Sequence, residues 1–254
     1  MRYFIKLAYN GAPFYGWQIQ PRQISVQEVL ENAFSLLLKE KIKITGCGRT
    51  DTGVNAREYF AHFDWDEKMS ATEIKKFVSR LNIFLPKEIV IYQIQPMPES
   101  AHARFDAISR TYCYYINLSK DPFYYPFALH LSKKPDIEKM NEAAAKLLEV
   151  RDFTSFSKLH TQVNNNNCKI TSAYWKEEKE QLFFEITADR FLRNMVRAIV
   201  GTLLWVGKGK LSIDEFQDII NQKNRCKAGN SVPAHALFLE KVRYPKGYMP
   251  EEDE

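Results

Sequence analysis

The stretch Lys41–Trp65, KIKITGCGRTDTGVNAREYFAHFDW, reads as a strand, a glycine loop and a second strand. Lys41–Cys47 is the first strand. In Glu58–Trp65 the residues Tyr59, Ala61, Phe63 and Trp65 alternate with partners of mixed polarity, the period of a strand. Between the two, Gly46, Gly48 and Gly53 surround Arg49 and Asp51, in a chain with only 10 glycines among 254 residues. A P-loop or a dinucleotide fingerprint needs a helix after the loop to receive phosphate, and no Gly-Lys-Ser/Thr is present. A tight turn here pushes Arg49 and Asp51 off a sheet edge into open space. A plainer reading fits the same residues: a β-turn whose Asp caps its own backbone and pairs with the neighbouring Arg.

The flanking sequence repeats one order of elements. Arg2–Tyr9 reads as a strand and Ser25 to about Glu40 as a helix opened by a Ser25-x-x-Glu28 capping box. Ser70-x-x-Glu73 opens a second helix ending near Leu85-Pro86, and Glu88–Gln95 is a further strand. The order is β-α-β-β-α-β. It recurs downstream: strand Arg110–Leu118, helix Asp136–Val150, a hairpin of Lys169–Glu177 and Gln181–Ala188 turned at Glu178–Glu180, a long helix Asp189–Val206, an extra helix from Ser212-x-x-Glu215, and strand Ala236–Tyr244. The expected fold is α+β, two ferredoxin-like halves with adjoining antiparallel or mixed sheets and a cleft between them. The expected divisions are an N-terminal half over 1–100, a C-terminal half over 101–246 and an acidic tail over 247–254. The asparagine run 164–167 reads as a mobile loop.

Hydrophobic residues make up 45% of the chain, enough for a sizeable core. Aromatics reach 13%, with 17 Phe and 13 Tyr, so some rings are available as stacking surfaces. The net charge is +5 although the last four residues are acidic, so the body is basic and suits an anionic partner, nucleic acid first. Cys47, Cys113, Cys168 and Cys226 form no CxxC pair and give neither a zinc pattern nor a disulfide framework. A reducing, cytoplasmic setting follows as the default. The N-terminus has no signal-peptide h-region. The most apolar run, Met195–Gly207, contains Arg197, is too short to span a bilayer and reads as a buried helix. The five histidines show no metal spacing: His62 reads as a sheet residue, and His102, beside Arg104, as structural more than phosphate-binding.

On the expected helix 189–206, Arg190, Arg193 and Arg197 share one stripe. A solvated face explains Arg190. Arg197 sits inside MVRAIVGTLLWV, and a guanidinium buried there needs a carboxylate or phosphate partner, for which Asp51 is a candidate. In FDAISRTYCYYI, Tyr112 and Tyr114 share one strand face and Tyr115 takes the other. Tyr114 and Tyr115 read as ordinary strand aromatics, while one tyrosine closing over a flat ligand is the functional alternative.

Taken in order, these segments resemble the TruA family of tRNA pseudouridine synthases over almost the whole chain. YNGAPFYGWQIQP (9–21), GRTDTGVNA (48–56), NIFLP (82–86), HARFDAISRTYCYYI (102–116), DFTSF (152–156), FLRNMVRAIVGTLLWVGKG (191–209) and ALFLEKVRY match that family's motifs. Asn10, Asn55 and Ala236 stand where the family usually has Asp, His and Gly. The resemblance implies the pseudouridine synthase fold, a catalytic Asp51, Tyr112 stacking on the target uracil, Arg197 paired with Asp51, Arg49 helping to expel the base, and Leu237 lining the pocket. It also implies action on uridines 38, 39 and/or 40 of the tRNA anticodon stem-loop, by a homodimer that needs no membrane.

Uridine-to-pseudouridine isomerisation breaks N1–C1′, turns the uracil and rejoins it through C5. Nothing is oxidised and no group is gained, so no nicotinamide, metal or ATP is required and no cofactor is expected. The reaction needs one carboxylate near C1′ and C6, something flat to hold the loosened uracil, and a base for the departing proton, for which Tyr112 and Asp51 both qualify. The uridine must also leave its helix. A glycoside hydrolase would want a second carboxylate, and none stands near an equally unusual loop. A noncatalytic RNA-binding module would explain the basic body and the aromatics but not a lone Asp displayed among arginines.

Overall fold

The structure, a computed structural model, is described for residues 1–158 and 165–248. Asn164 and the acidic residues 251–254 lie outside that range. The chain divides into two units, Met1–Ile108 with Leu239–Glu254, and Ser109–Phe238. Residues 101–108 and 239–246 therefore group with the first unit, whereas the sequence boundaries assign them to the second half.

The first unit contains β1 (Arg2–Tyr9), α1 (Val26–Leu38), β2 (Thr45–Gly46), β3 (Asn55–Asp64), α2 (Ala71–Phe84) and β4 (Ile89–Met97). Strand β1 runs antiparallel between β3 and β4, and β2 pairs with β3. This is the pairing of a β-α-β-β-α-β unit. Residues 239–243 add a further strand beside β3, where the Val242 N–H donates to the Glu58 carboxylate at 2.9 Å and Arg57 meets Glu240 at 3.4 Å.

Period two in β1 separates the faces. Tyr3 stacks on Phe63, and Phe63 and Phe77 both meet Phe34 of α1 edge-on, so the two helices cover that face. On the other face Phe4 meets Tyr244 and Tyr248 edge-on. Both helices start on a serine. Ser70 and Glu73 complete a capping box, but at Ser25 only half forms: its hydroxyl accepts from the Glu28 N–H. The next helical N–H groups find other partners, Val26 donating to Gly16 O at 3.2 Å and Gln27 to Trp17 O at 3.1 Å.

The strand expected over 41–47 shrinks to Thr45–Gly46. Its preceding N–H groups are taken by side chains of α1: Ile42 donates to Ser35 Oγ and Ile44 to Glu31 Oε1, at 2.8 and 2.9 Å. With the donors used, no ladder forms there. Strand β3 in turn starts three residues earlier than its alternation suggests, at Asn55.

The second unit contains β5 (Ser109–Asn117), β6 (Leu129–His130), α3 (Ile137–Lys146), β7 (Ile170–Glu178), β8 (Gln181–Ala188), α4 (Met195–Gly207) and α5 (Ile213–Asn221); β9 (Leu237–Arg243) begins at its end. Strand β8 lies antiparallel between β5 and β7, and the short β6 pairs parallel to β5, so the fold is mixed α+β. The helix expected over 136–150 ends at Lys146 and tightens into a 3-10 turn, Leu147–Glu149. Of the asparagine run, Asn166 and Asn167 pair with 152–154: Phe153 N–H donates to Asn166 O and Asp152 bridges Asn167.

The helix expected from Asp189 starts only at Met195. Asn194 takes a left-handed φ of 66° at the N-cap, and its amide donates to Ser231 Oγ at 2.6 Å. Asp189 is occupied by the N–H groups of Lys169 and Arg190. The three-arginine stripe therefore does not exist: Arg190 and Arg193 precede the helix, and Arg197 alone lies on it. The expected buried apolar helix is α4 itself, where Val196, Ala198–Leu204, Val206 and Gly207 are buried.

Candidate active site

In the first unit the loop between β2 and β3 is built against residues 9–18. Asp51 O accepts from the Val54 N–H at 3.1 Å, and Gly53 has a φ of 75°. That is a type II turn with glycine at the position demanding positive φ. The remaining contacts tie this turn down. Trp17 N–H donates to Thr50 O, and Gly53 N–H to Phe14 O, both at 3.3 Å. Tyr9 and Thr50 share a hydroxyl bond of 2.9 Å, and the Tyr59 hydroxyl donates to Gly48 O. Asn55, 2% exposed, accepts from the Gly11 N–H at 2.8 Å.

Sterics explain the glycines on both sides. A Cβ on Gly46 would stand 2.2 Å from the Tyr59 hydroxyl and 2.5 Å from the Trp17 ring. A Cβ on Gly11 would lie 2.1 Å from Val54 O. Gly48 has open space, so its lack of a side chain is not required by packing. Thr50 is buried, Asp51 is half-buried and Arg49 is exposed, with its Nε donating to Gln18 Oε1 at 3.3 Å. Residues 9–18 are the seat of the loop, which their local sequence pattern does not reveal. The signal available was the pair Gly11 and Gly16, glycines outside any strand or helix.

In the second unit Tyr112 sits on β5 opposite Ile186, half-buried, its ring edge-on to Phe191 at 5.1 Å. Arg197 lies in the first turn of α4, half-buried. Its Nε donates to Val232 O at 2.7 Å while Val232 N–H donates to Arg197 O. Tyr114, read from sequence as an ordinary strand aromatic, is fully buried, and its hydroxyl donates to the next carbonyl, Pro233 O, at 3.0 Å. Burial pushes its phenol well above the usual range, and the Arg197 charge partly opposes this. Arg197 and Tyr114 thus grip consecutive carbonyls just before Leu237, which opens β9 and is buried.

Segment 228–232 is seated by backbone contact on α4. A Cβ on Gly201 would meet Asn230 O at 1.9 Å, and Gly229 N–H donates to Thr202 Oγ1 at 2.9 Å. Ala236, where the family usually has glycine, is fully buried. Arg49 and Asp51 thus stand on one loop of the first unit, whereas Tyr112, Arg197 and Leu237 belong to the second, on β5, α4 and β9.

The other sequence readings fall outside these clusters. His62 is a sheet residue on β3, and His102 follows β4. None of the four cysteines is in a disulfide, and among the described residues no group of His, Cys, Asp and Glu is placed to hold a metal ion. Among those residues no helix is long and apolar enough to cross a membrane.

Residues 143–245 match the family model described as tRNA pseudouridine synthase. A tRNA pseudouridine synthase A of Parabacteroides distasonis is 53% identical over 252 residues, 99% of each chain. That of Porphyromonas gingivalis is 55% identical over 246 residues, 96% of this chain and 97% of its own. That of Bacillus subtilis is 38% identical over 96% of this chain and 99% of its own. With a likeness this high over nearly every residue, the chain belongs to the tRNA pseudouridine synthase A family of isomerases.

Proposed function

We propose that this protein isomerises uridine to pseudouridine at positions 38, 39 and/or 40 of the tRNA anticodon stem-loop, with Asp51 as the essential catalytic residue. The observation that carries the reading is the loop itself. A half-buried carboxylate sits at the start of a type II turn whose backbone is bonded to Phe14 and Trp17, so it is presented at a fixed place with an exposed guanidinium, Arg49, two residues away. Preorganisation of this kind lets a charged group act on a developing sugar cation without reorganising.

The remaining roles follow the chemistry. The uridine leaves its stack, and Arg49 fills the vacated space. The Asp51 carboxylate acts at C1′ or C6 as N1–C1′ breaks. Tyr112 stacks on the loosened uracil while it turns, and Leu237 lines the pocket around it. A C5–C1′ bond forms, the C5 proton leaves to Tyr112 or Asp51, and N1 gains a proton, so atoms and electrons balance with no cofactor. Arg197 is assigned as the charge partner of Asp51. A homodimer acting in the cytoplasm, with no membrane, completes the reading, and the basic body suits tRNA.

The test is a paired measurement on Asp51→Asn, which is nearly isosteric and keeps the turn. Pseudouridine formation should become undetectable, while tRNA affinity stays close to wild type or tightens slightly. Wild-type turnover in this variant would overturn the catalytic assignment. Loss of folding and binding together would show that Asp51 merely holds its turn.

A further inference from the structure

A groove on the first unit plays no part in the reaction proposed above. Its lining includes Arg2, Lys41, Lys43, His62, Asp64 and His102. Lys41 and Lys43 are exposed on one side of the extended segment entering β2. Between and beyond them Ile42 and Ile44 are buried, their N–H groups fixed to Ser35 and Glu31. Lys41 and Lys43, two residues apart, thus leave the segment on the same exposed side, and among the described residues neither has an ion-pair partner.

Arg2 differs. Its guanidinium spans both Asp64 oxygens at 2.9 and 2.8 Å and donates to Ala101 O at 2.8 Å, so Arg2 and Asp64 neutralise each other. His102 accepts through Nδ1 from the N–H groups of Arg104 and Phe105, which leaves its Nε2 as the protonated nitrogen and a donor. The groove therefore offers two uncompensated cations and a neutral N–H donor.

Paired cations without a counter-charge repel, and a polyanion removes that cost while releasing its own counterions. Thr45 of the groove's lining directly precedes the glycine loop, but the Arg2 end lies away from the Asp51 turn. Arg2 and Tyr9 stand at opposite ends of β1, roughly 20 Å apart by strand rise, and Tyr9 is the residue bonded to Thr50 beside Asp51. We infer that this groove holds the phosphodiester backbone of the RNA substrate at nucleotides other than the reacting uridine. The inference rests on the tRNA reading above. Such a contact positions the RNA and carries no sequence information.

The experiment is a salt titration of full-length tRNA binding by wild type, Lys41→Ala/Lys43→Ala and Lys41→Arg/Lys43→Arg. Removing two phosphate contacts should reduce the log–log salt slope by about 2 and weaken binding roughly 10- to 30-fold near physiological salt. The double arginine variant should bind as wild type does. An unchanged slope and affinity in the double alanine variant, with wild type active on tRNA, overturns the groove alone. A loss that double arginine does not restore also overturns it, since charge is then not what the lysines supply. A wild-type protein that neither binds nor modifies tRNA overturns the functional reading and this inference together.

Discussion

Gly16 and Asp51 meet backbone to backbone: a Cβ on Gly16 would lie 3.1 Å from the Asp51 carbonyl carbon and 2.4 Å from Thr50 O. Gly16 also has a φ of 84°, a conformation unfavourable for any other residue. Gly16→Ala is therefore strained twice over. It should lower unfolding free energy by about 1–3 kcal/mol. It should also reduce turnover, because the clash is with the backbone of Thr50 and Asp51 and its relief disturbs the Asp51 turn. Chemical denaturation and single-turnover pseudouridylation on the same preparation check both parts.

The loop glycines should separate by mechanism. Gly53→Ala places a side chain at positive φ in the type II turn and should cost about 1–2 kcal/mol. Gly48 has open space around it, so Gly48→Ala should leave the melting temperature unchanged or slightly raised. A parallel thermal melt of the two variants is decisive, and equal destabilisation would contradict the assigned turn.

Tyr112→Phe keeps the ring against Phe191 and removes only the hydroxyl. If that hydroxyl carries the proton, kcat should fall by roughly two to four decades while tRNA affinity holds. Unchanged kcat would assign the proton transfer elsewhere and leave the ring a stacking surface.

His62 gives stability a pH dependence. It is 5% exposed, and its Nδ1 accepts from the Ala103 N–H at 3.1 Å. Burial first, then the positive charge of Arg2 and the neighbouring His102, lower its pKa from 6.5 to about 4, against the weaker pull of Asp64 and Asp106. Below 6.5 the unfolded chain binds a proton that the folded protein refuses. Stability should therefore fall as pH drops from 6.5 to about 4, by up to about 3 kcal/mol. Urea unfolding at pH 7 and pH 5 should show about 2 kcal/mol of this loss in wild type and a smaller one in His62→Gln, with His102 supplying part of the remainder.

Much of this architecture is written locally. Ser70-x-x-Glu73 and Ser212-x-x-Glu215 mark helix starts because both bonds of each box close within four residues. The alternation Tyr59, Ala61, Phe63 marks β3 because one face is buried against α1 and α2. What failed was set by distant partners. The donors of Ile42 and Ile44 are claimed by Ser35 and Glu31, which no strand pattern reveals. Asn194 in the left-handed region holds back α4, although Phe191 and Leu192 continue the apolar spacing. The same holds at the candidate site. Arg49 and Asp51 were legible because glycine concentrates around them. Tyr114 was not, because its value lies in a bond to Pro233, 119 positions away.

The strand beside β3 has a consequence for biosynthesis. Residues 239–243 flank β3, and the Val242 N–H bonds Glu58 near the strand's start. A nascent chain that has exposed only residues 1–108 presents part of that edge bare, with its amides unmatched. The half bearing Asp51 is thus completed only after the ribosome has released residue 243, and a stalled or truncated translation product would carry the loop on an unfinished, aggregation-prone edge.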